Sequence, residues 1–287
     1  MTGGTRGLGR VAAQQIEVLG TKIMGDRDAS TVPQGWQARS LDLADLASVR
    51  TFARALPEGE IGHLILNAGG QNADADGRTV DGFETTFGTN HLAHYLLLRL
   101  LMPRLAADAR IVITSSGTHD PREKTGVPAP RHADAELLAH PERCEKPERS
   151  TMIAGMRAYS SSKLCNVMTA RFLASTSAAC GRQWSVFACD PGLTPSTGLI
   201  RNQPWVVRTI IWPLLSLFVP LAKGMNSLAD AGRGLAELAT TATAPTGRIY
   251  AALRQGKLTW PDPSELACGN VATDALWNDS AALVGVA

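Results

Sequence analysis

The feature that most limits the fold is an alternation of two kinds of segment. Short strand candidates at Thr21–Met24, Trp36–Leu41, His63–Leu66, Arg110–Thr114, Trp184–Cys189 and Arg248–Ala251 are interleaved with helical stretches over about 11–16, 46–56, 80–105, 133–139, 159–177, 226–238 and 275–283. His63–Leu66 is apolar enough for a buried strand, and Trp36–Leu41 alternates as a strand does. Strands separated by helices pair in parallel, with the helices packed on both sides of the sheet. The expected class is therefore α/β, a doubly wound parallel sheet. The 287 residues, 44% of them hydrophobic, suffice for one large core. No Pro/Gly/Ser-rich linker, charge block or repeat divides them, so 1–287 reads as a single domain.

The residues with chemical capability cluster just after the strands. Segments 25–27, 42–43, 67–69, 115–116 and 190–194 all follow apolar runs. In an open parallel sheet that carboxyl edge is where ligands bind. Residues 2–9 read Thr-Gly-Gly-Thr-Arg-Gly-Leu-Gly ahead of a helix. Glycines let a phosphate approach the backbone, and a helix N-terminus meets it with free N–H groups. Further on, Tyr159 and Lys163 stand four residues apart, on one face of a helix expected to open at Tyr159. A cation one turn away favours the phenolate and lowers the phenol's pKa, tuning it to exchange a proton with a carbonyl or alcohol oxygen.

Taken together, these motifs resemble those of the short-chain dehydrogenase/reductase family over nearly the whole chain. Residues 2–9 resemble its TGxxxGxG cofactor loop, with contacts implied at Gly3, Thr5, Arg6, Gly7, Leu8 and Gly9. Asn67-Ala68-Gly69 resembles its NAG motif, and Pro191-Gly192, followed by Thr194, its PG motif beside the nicotinamide. Asp26, Arg27, Asp42 and Leu43 would meet the adenosine half. Asn90, Ser116, Tyr159 and Lys163 match its catalytic tetrad. The resemblance implies a Rossmann-type fold and a hydride transfer between nicotinamide and a carbonyl or alcohol substrate. Tyr159 would be the acid in reduction and the base in oxidation, Lys163 would lower its pKa and hold the ribose, Ser116 would bind the substrate oxygen, and Asn90 would hold a water linking Lys163 to solvent. The segments around 88–94, 159–166 and 190–199 look like the retinol dehydrogenase and protochlorophyllide reductase branch. A non-catalytic dinucleotide-binding redox sensor is the rival reading, and a sugar-nucleotide epimerase a more distant one.

Arg6 and Arg27 could pair with a 2′-phosphate, while Asp26 sits where a carboxylate would bind a free 2′-hydroxyl. Two cations against one anion favour NADP over NAD. The family's first strand is central and delivers the glycine loop, yet only Met1 precedes Thr2. The expectation is that this strand is missing, that the natural chain begins upstream, and that Thr2–Gly9 is poorly anchored and cofactor binding weak.

Other residues read more plainly. His91 and His94 suit packing or a subunit face, and His119 could reach the pocket mouth. Segments 117–157 and 195–222 are expected to be a mobile substrate-side loop and lid. Trp205, Trp212 and Phe218 would serve as an apolar lid, as core, or as a peripheral membrane contact. Arg208, Pro213 and Pro220 make 205–222 a poor spanning helix. A net charge of +2 gives no electrostatic footprint for nucleic acid. The five cysteines lack CxxC or metal-ligand spacing, so no metal site is expected and reduced thiols in a cytoplasmic protein are. A small-molecule carbonyl or alcohol substrate completes the expected partners, with a homo-oligomer left open.

Overall fold

The computed structural model describes residues 1–28, 31–148, 150–195 and 224–286. Among them, strands β1 (Lys22–Asp26), β2 (Trp36–Ser40), β3 (Ile61–Leu66), β4 (Leu105–Thr114), β5 (Ser185–Asp190), β6 (Tyr250–Arg254) and β7 (Lys257–Thr259) form the sheet. β1 and β2 pair in parallel, and β3-β4-β5-β6 run parallel before an antiparallel β7. Helices pack on both faces of this single domain, as the doubly wound class requires.

The two parts of the sheet meet at the first residues of the chain. Thr2 makes single parallel bridges to Gly25 of β1 and Leu66 of β3. The Thr2 amide donates to Ile65 O, and Gly25 donates to Met1 O, both at 2.9 Å. Met1–Gly3 thus stands at the carboxyl end of the central strand position.

Strand alternation distributes the core to two faces. Leu64, Leu66, Ile111, Ile113, Val186 and Ala188 face one cluster, where Val49 and Phe52 of α2 (Leu46–Arg54) join Leu96, Leu97, Leu164 and Met168. Ile65, Val112, Phe187, Cys189 and Ala251 face the other, against Ala12 of α1 (Gly7–Gln15), Ile16 just beyond it, and the Leu228–Thr240 helix. Each fully buried Leu, Ile or Phe contributes about 1.5–3 kcal/mol.

Several boundaries differ from expectation. The helix over 80–105 begins only at Thr85, because Gly82 turns at φ 87° and Glu84 caps the Thr86 and Phe87 amides. It continues as a π turn, Gly88–Leu92, then an α-helix, Ala93–Leu101, then a 3₁₀ turn containing Pro103, so β4 begins at Leu105. The helix carrying Tyr159 and Lys163 begins at Thr151, capped by the Ser150 hydroxyl, and ends at Ala179. The loop from 117 is shorter by that amount and holds the short helix Ala135–Ala139. β7 was not anticipated; Gln255 (φ 50°) and Gly256 (φ 75°) form a tight turn that folds it back on β6.

The expected lid over 195–222, with Trp205, Trp212 and Phe218, lies outside the described residues apart from Pro195. Among the described residues no helix is long and apolar enough to cross a membrane.

Candidate active site

A cleft of about 700 Å³ runs along the carboxyl edge of the sheet. Its first wall is the glycine loop. Thr2 Oγ1 accepts the amides of Asn67 and Ala68 at 3.0 and 3.1 Å, and Asn67 Nδ2 donates to Gly3 O at 2.9 Å. The loop was expected to be poorly anchored; these bonds from the end of β3 hold it instead. Only glycine fits at two of its positions. A Cβ on Gly3 would lie 2.6 Å from Ala68 Cα, and one on Gly9 2.1 Å from Gly3 O. Gly7 has φ 55° and opens α1, whose N-cap Arg6 makes no side-chain cap. The first turn of α1 therefore faces the cleft with no side chain capping it, which is the arrangement a phosphate group needs.

Where β1 ends, Asp26, Arg6 and Arg27 line the cleft. Asp26 takes the Thr5 hydroxyl at 2.7 Å and the Asp28 amide at 3.1 Å, so its carboxylate braces the turn. Asp42 and Leu43 line the same end, and the Asp42 carboxylate accepts the Ala44 amide at 3.0 Å. Thr5 itself is buried behind Asp26 and does not line the cleft.

At the other end, Ser116 follows β4, where its hydroxyl accepts the Thr118 amide at 3.3 Å, and it lies beside the Tyr159 side chain. Lys163 Nζ stands 5.6 Å from the Tyr159 ring centroid and donates to Thr114 O at 3.1 Å. All three residues line the cleft, together with Pro191, Gly192 and Thr194 beyond β5. The expected depression of the phenol pKa is absent here. Burial pushes the Tyr159 phenol well above its ordinary value, against the lowering influence of the Ser116 side chain and with Asp190 adding to the rise. Burial also lowers Lys163 from 10.5 to about 8.

Asn90 is fully buried and stands behind the cleft wall rather than in it. Its Oδ1 accepts the Gly70 amide at 3.0 Å, and its Nδ2 donates to Gly70 O at 2.9 Å and to Ser162 Oγ at 3.1 Å. The π turn sets this direction, since it interrupts the α spacing at Asn90. His119 likewise faces inward. Its Nδ1 lies 2.7 Å from Ser116 O and its Nε2 accepts the Ser264 amide at 3.3 Å, so it fixes the turn after β4. His91 packs against Phe87 and contacts Ser280 Oγ at 3.0 Å.

Sequence reasoning missed a polar cluster under the Pro191–Gly192 turn. Asp190, 2% exposed, accepts from Arg254 at 2.8 Å, from the Tyr250 hydroxyl at 3.1 Å and from the Gly192 amide at 2.9 Å. Arg254 lines the cleft and also pairs with Glu123 at 2.9 Å. Asn226 Nδ2 donates to both Pro191 O and Leu253 O at 2.9 Å. An Asp ahead of a Pro-Gly turn was the one local signal; its side-chain partners, Tyr250 and Arg254, lie 60 and 64 residues away in the chain.

Human retinol dehydrogenase 12 is 30% identical over 305 aligned residues, spanning 100% of this chain and 85% of the relative. The chain belongs to the short-chain dehydrogenase/reductase family. The chloroplastic protochlorophyllide reductase of Daucus carota is 28% identical over 314 residues, covering 100% of this chain and 78% of that protein. Among solved structures, an uncharacterized protein from Mycobacterium paratuberculosis matches with a TM-score of 0.70 and 29% identity, over 99% of this chain and 92% of its own. No family model matches the chain. The relatives are dehydrogenases and reductases, and the chain is accordingly an oxidoreductase of this family.

Proposed function

We propose that this oxidoreductase transfers a hydride between a nicotinamide dinucleotide and a carbonyl or alcohol substrate, with Tyr159 as the acid or base. The observation that carries the proposal is the meeting of Ser116, Tyr159 and Lys163 at one end of a cleft whose other end is a glycine loop opening a helix.

The cleft suits a dinucleotide in shape and in donors. The close approach of Gly3 and Gly9 to neighbouring backbone leaves the uncapped first turn of α1 open for a pyrophosphate. Asn67, Ala68 and Gly69 form the floor midway, and Pro191, Gly192 and Thr194 flank the far end. A bound nicotinamide would supply or accept the hydride there. Ser116 positions the substrate oxygen by hydrogen bonding. Tyr159 then passes its proton to that oxygen as negative charge develops. A phenol carries its proton at neutral pH, so Tyr159 has a proton to give in the reductive direction. Lys163 is held by Thr114 O and lines the cleft, where ribose hydroxyls would lie. Asn90 acts from behind, through Gly70, instead of by touching substrate.

NADP is the favoured cofactor. Arg6 and Arg27 both line the adenosine end, whereas the Asp26 carboxylate is already engaged by Thr5 and Asp28. Leu193, Met225 and Val127 give the substrate end an apolar side, consistent with a lipophilic carbonyl compound. None of the five cysteines is in a disulfide, which fits a cytoplasmic setting.

The test is a panel of aldehydes, ketones and retinoids with NADPH and NADH, followed by cofactor absorbance. Turnover should appear with NADPH and vanish in Tyr159→Phe while cofactor binding persists. Turnover in Tyr159→Phe close to that of the unmodified chain would reject the assignment.

A further inference from the structure

We propose that His94 is a positioning residue that ties the floor of the dinucleotide cradle to the turn carrying Asn90. The proposal takes its consequences for binding and turnover from the function above; its geometry stands independently.

His94 is buried in the helix that follows the π turn. Its Nε2 lies 2.9 Å from Thr2 Oγ1, and its Nδ1 lies 3.2 Å from Asn90 O. The proton positions follow from counting donors. Thr2 Oγ1 already accepts the amides of Asn67 and Ala68. Both its lone pairs are used, so only its hydrogen remains for His94, and Nε2 must accept. A carbonyl can only accept, so Nδ1 must carry the proton donated to Asn90 O. Both ends demand the same neutral tautomer. An imidazolium would set an Nε2–H against the Thr2 hydroxyl hydrogen. Burial acts in the same direction and holds the imidazole pKa down at about 3.

The imidazole therefore joins two walls of the cleft. Through Thr2 it orients the acceptor for the Asn67 and Ala68 amides, and Asn67 in turn holds Gly3. Through the Asn90 carbonyl it fixes the residue whose amide clamps both backbone atoms of Gly70. A Leu or Phe could fill the same volume, but it would leave the buried Thr2 hydroxyl without an acceptor.

Two conservative replacements separate the two arms. In His94→Asn the side-chain amide nitrogen stands near the place of imidazole Nδ1, so the bond to Asn90 survives while Thr2 is out of reach. In His94→Gln the amide oxygen reaches Thr2 and the bond to Asn90 is lost. His94→Asn should weaken NADPH binding about tenfold and leave kcat within about twofold. His94→Gln should lower kcat about tenfold and leave NADPH binding within about twofold. Parallel losses in both variants, or no loss in either, would show a packing residue and overturn the proposal.

The tautomer can be read without any variant. ¹⁵N spectra of the histidine-labelled full chain at neutral pH should show a neutral ring protonated at Nδ1. An Nε2–H ring or an imidazolium would overturn the proposal even if neither variant folds. If the unmodified chain bound no dinucleotide, the functional reading would fall alone. Faster exchange of the Asn67 and Ala68 amides in His94→Asn would then still support the Thr2 arm, and unchanged exchange would refute it.

Discussion

Asp190 and Arg254 meet at 2.8 Å beneath the Pro191–Gly192 turn, the acid almost wholly buried and the base facing the cleft. The pair joins β5 to β6 at the point where both strands end, and the Asp190 carboxylate also holds the Gly192 amide. Removing one partner of a buried pair typically costs about 3–5 kcal/mol. Arg254→Ala is expected near the lower end of that range, because Tyr250 and Gly192 remain on Asp190. Urea unfolding should show the loss, and NADPH affinity should fall with it as the turn loosens. A variant as stable as the unmodified chain would remove this pair from the account.

Tyr159→Phe should lower kcat by at least ~10²-fold, the usual size of an acid–base contribution, with NADPH binding retained. Lys163→Ala should weaken both turnover and binding. Steady-state kinetics beside direct cofactor titration separates these two outcomes.

At the adenosine end, charge removal should be selective. Asp26→Asn keeps an oxygen for the Thr5 hydroxyl and removes the anion, so NADPH should bind about tenfold more tightly, with a smaller change for NADH. Arg27→Ala should weaken NADPH and leave NADH nearly unchanged. Dissociation constants showing NADH preferred tenfold by the unmodified chain would reverse the assignment.

The pH dependence of stability has a defined sign. His91 is buried, and burial lowers its pKa from 6.5 to about 4. The folded state thus holds it neutral, so its contribution is complete above pH 6.5 and is lost as pH falls toward 4. Glu84 acts oppositely. Burial raises its pKa from 4.5 to about 7, so its contribution is lost as pH rises through that interval. Urea midpoints at pH 7 and pH 5 for the unmodified chain and His91→Gln should converge at the lower pH. A constant gap between them would show that His91 does not titrate on unfolding.

Much of this architecture was legible in the chain because most strands hold a short apolar run followed by a small or polar residue. The Ile65 and Val112 positions alternate with their neighbours between the two core faces, as period two requires. The residues proposed for catalysis were legible because Ser116, Tyr159 and Lys163 sit in local motifs. What escaped was set by distant contacts. The early start of the Tyr159 helix lay inside the stretch over 117–157 that reads as a loop; at Gly155 a Cβ would strike the backbone of Ala73 and Asp74 at 2.7–2.9 Å, so glycine is what lets the helix pass. The inward aim of Asn90 depends on a π turn with no evident sequence mark. The partners of Asp190 come from another strand.

The π turn at Gly88–Leu92 has a consequence for how this region can change. A π turn holds about one residue more than an α turn, an offset in phase of about 100°. Deleting one residue there would restore an unbroken α-helix and recover regular backbone bonding. It would also rotate everything upstream by more than a quarter turn relative to His94 and Tyr95, carrying Asn90 away from Gly70. The segment is therefore sensitive to length in a way that surface loops are not: a one-residue deletion would yield a straighter helix and a mis-set cleft.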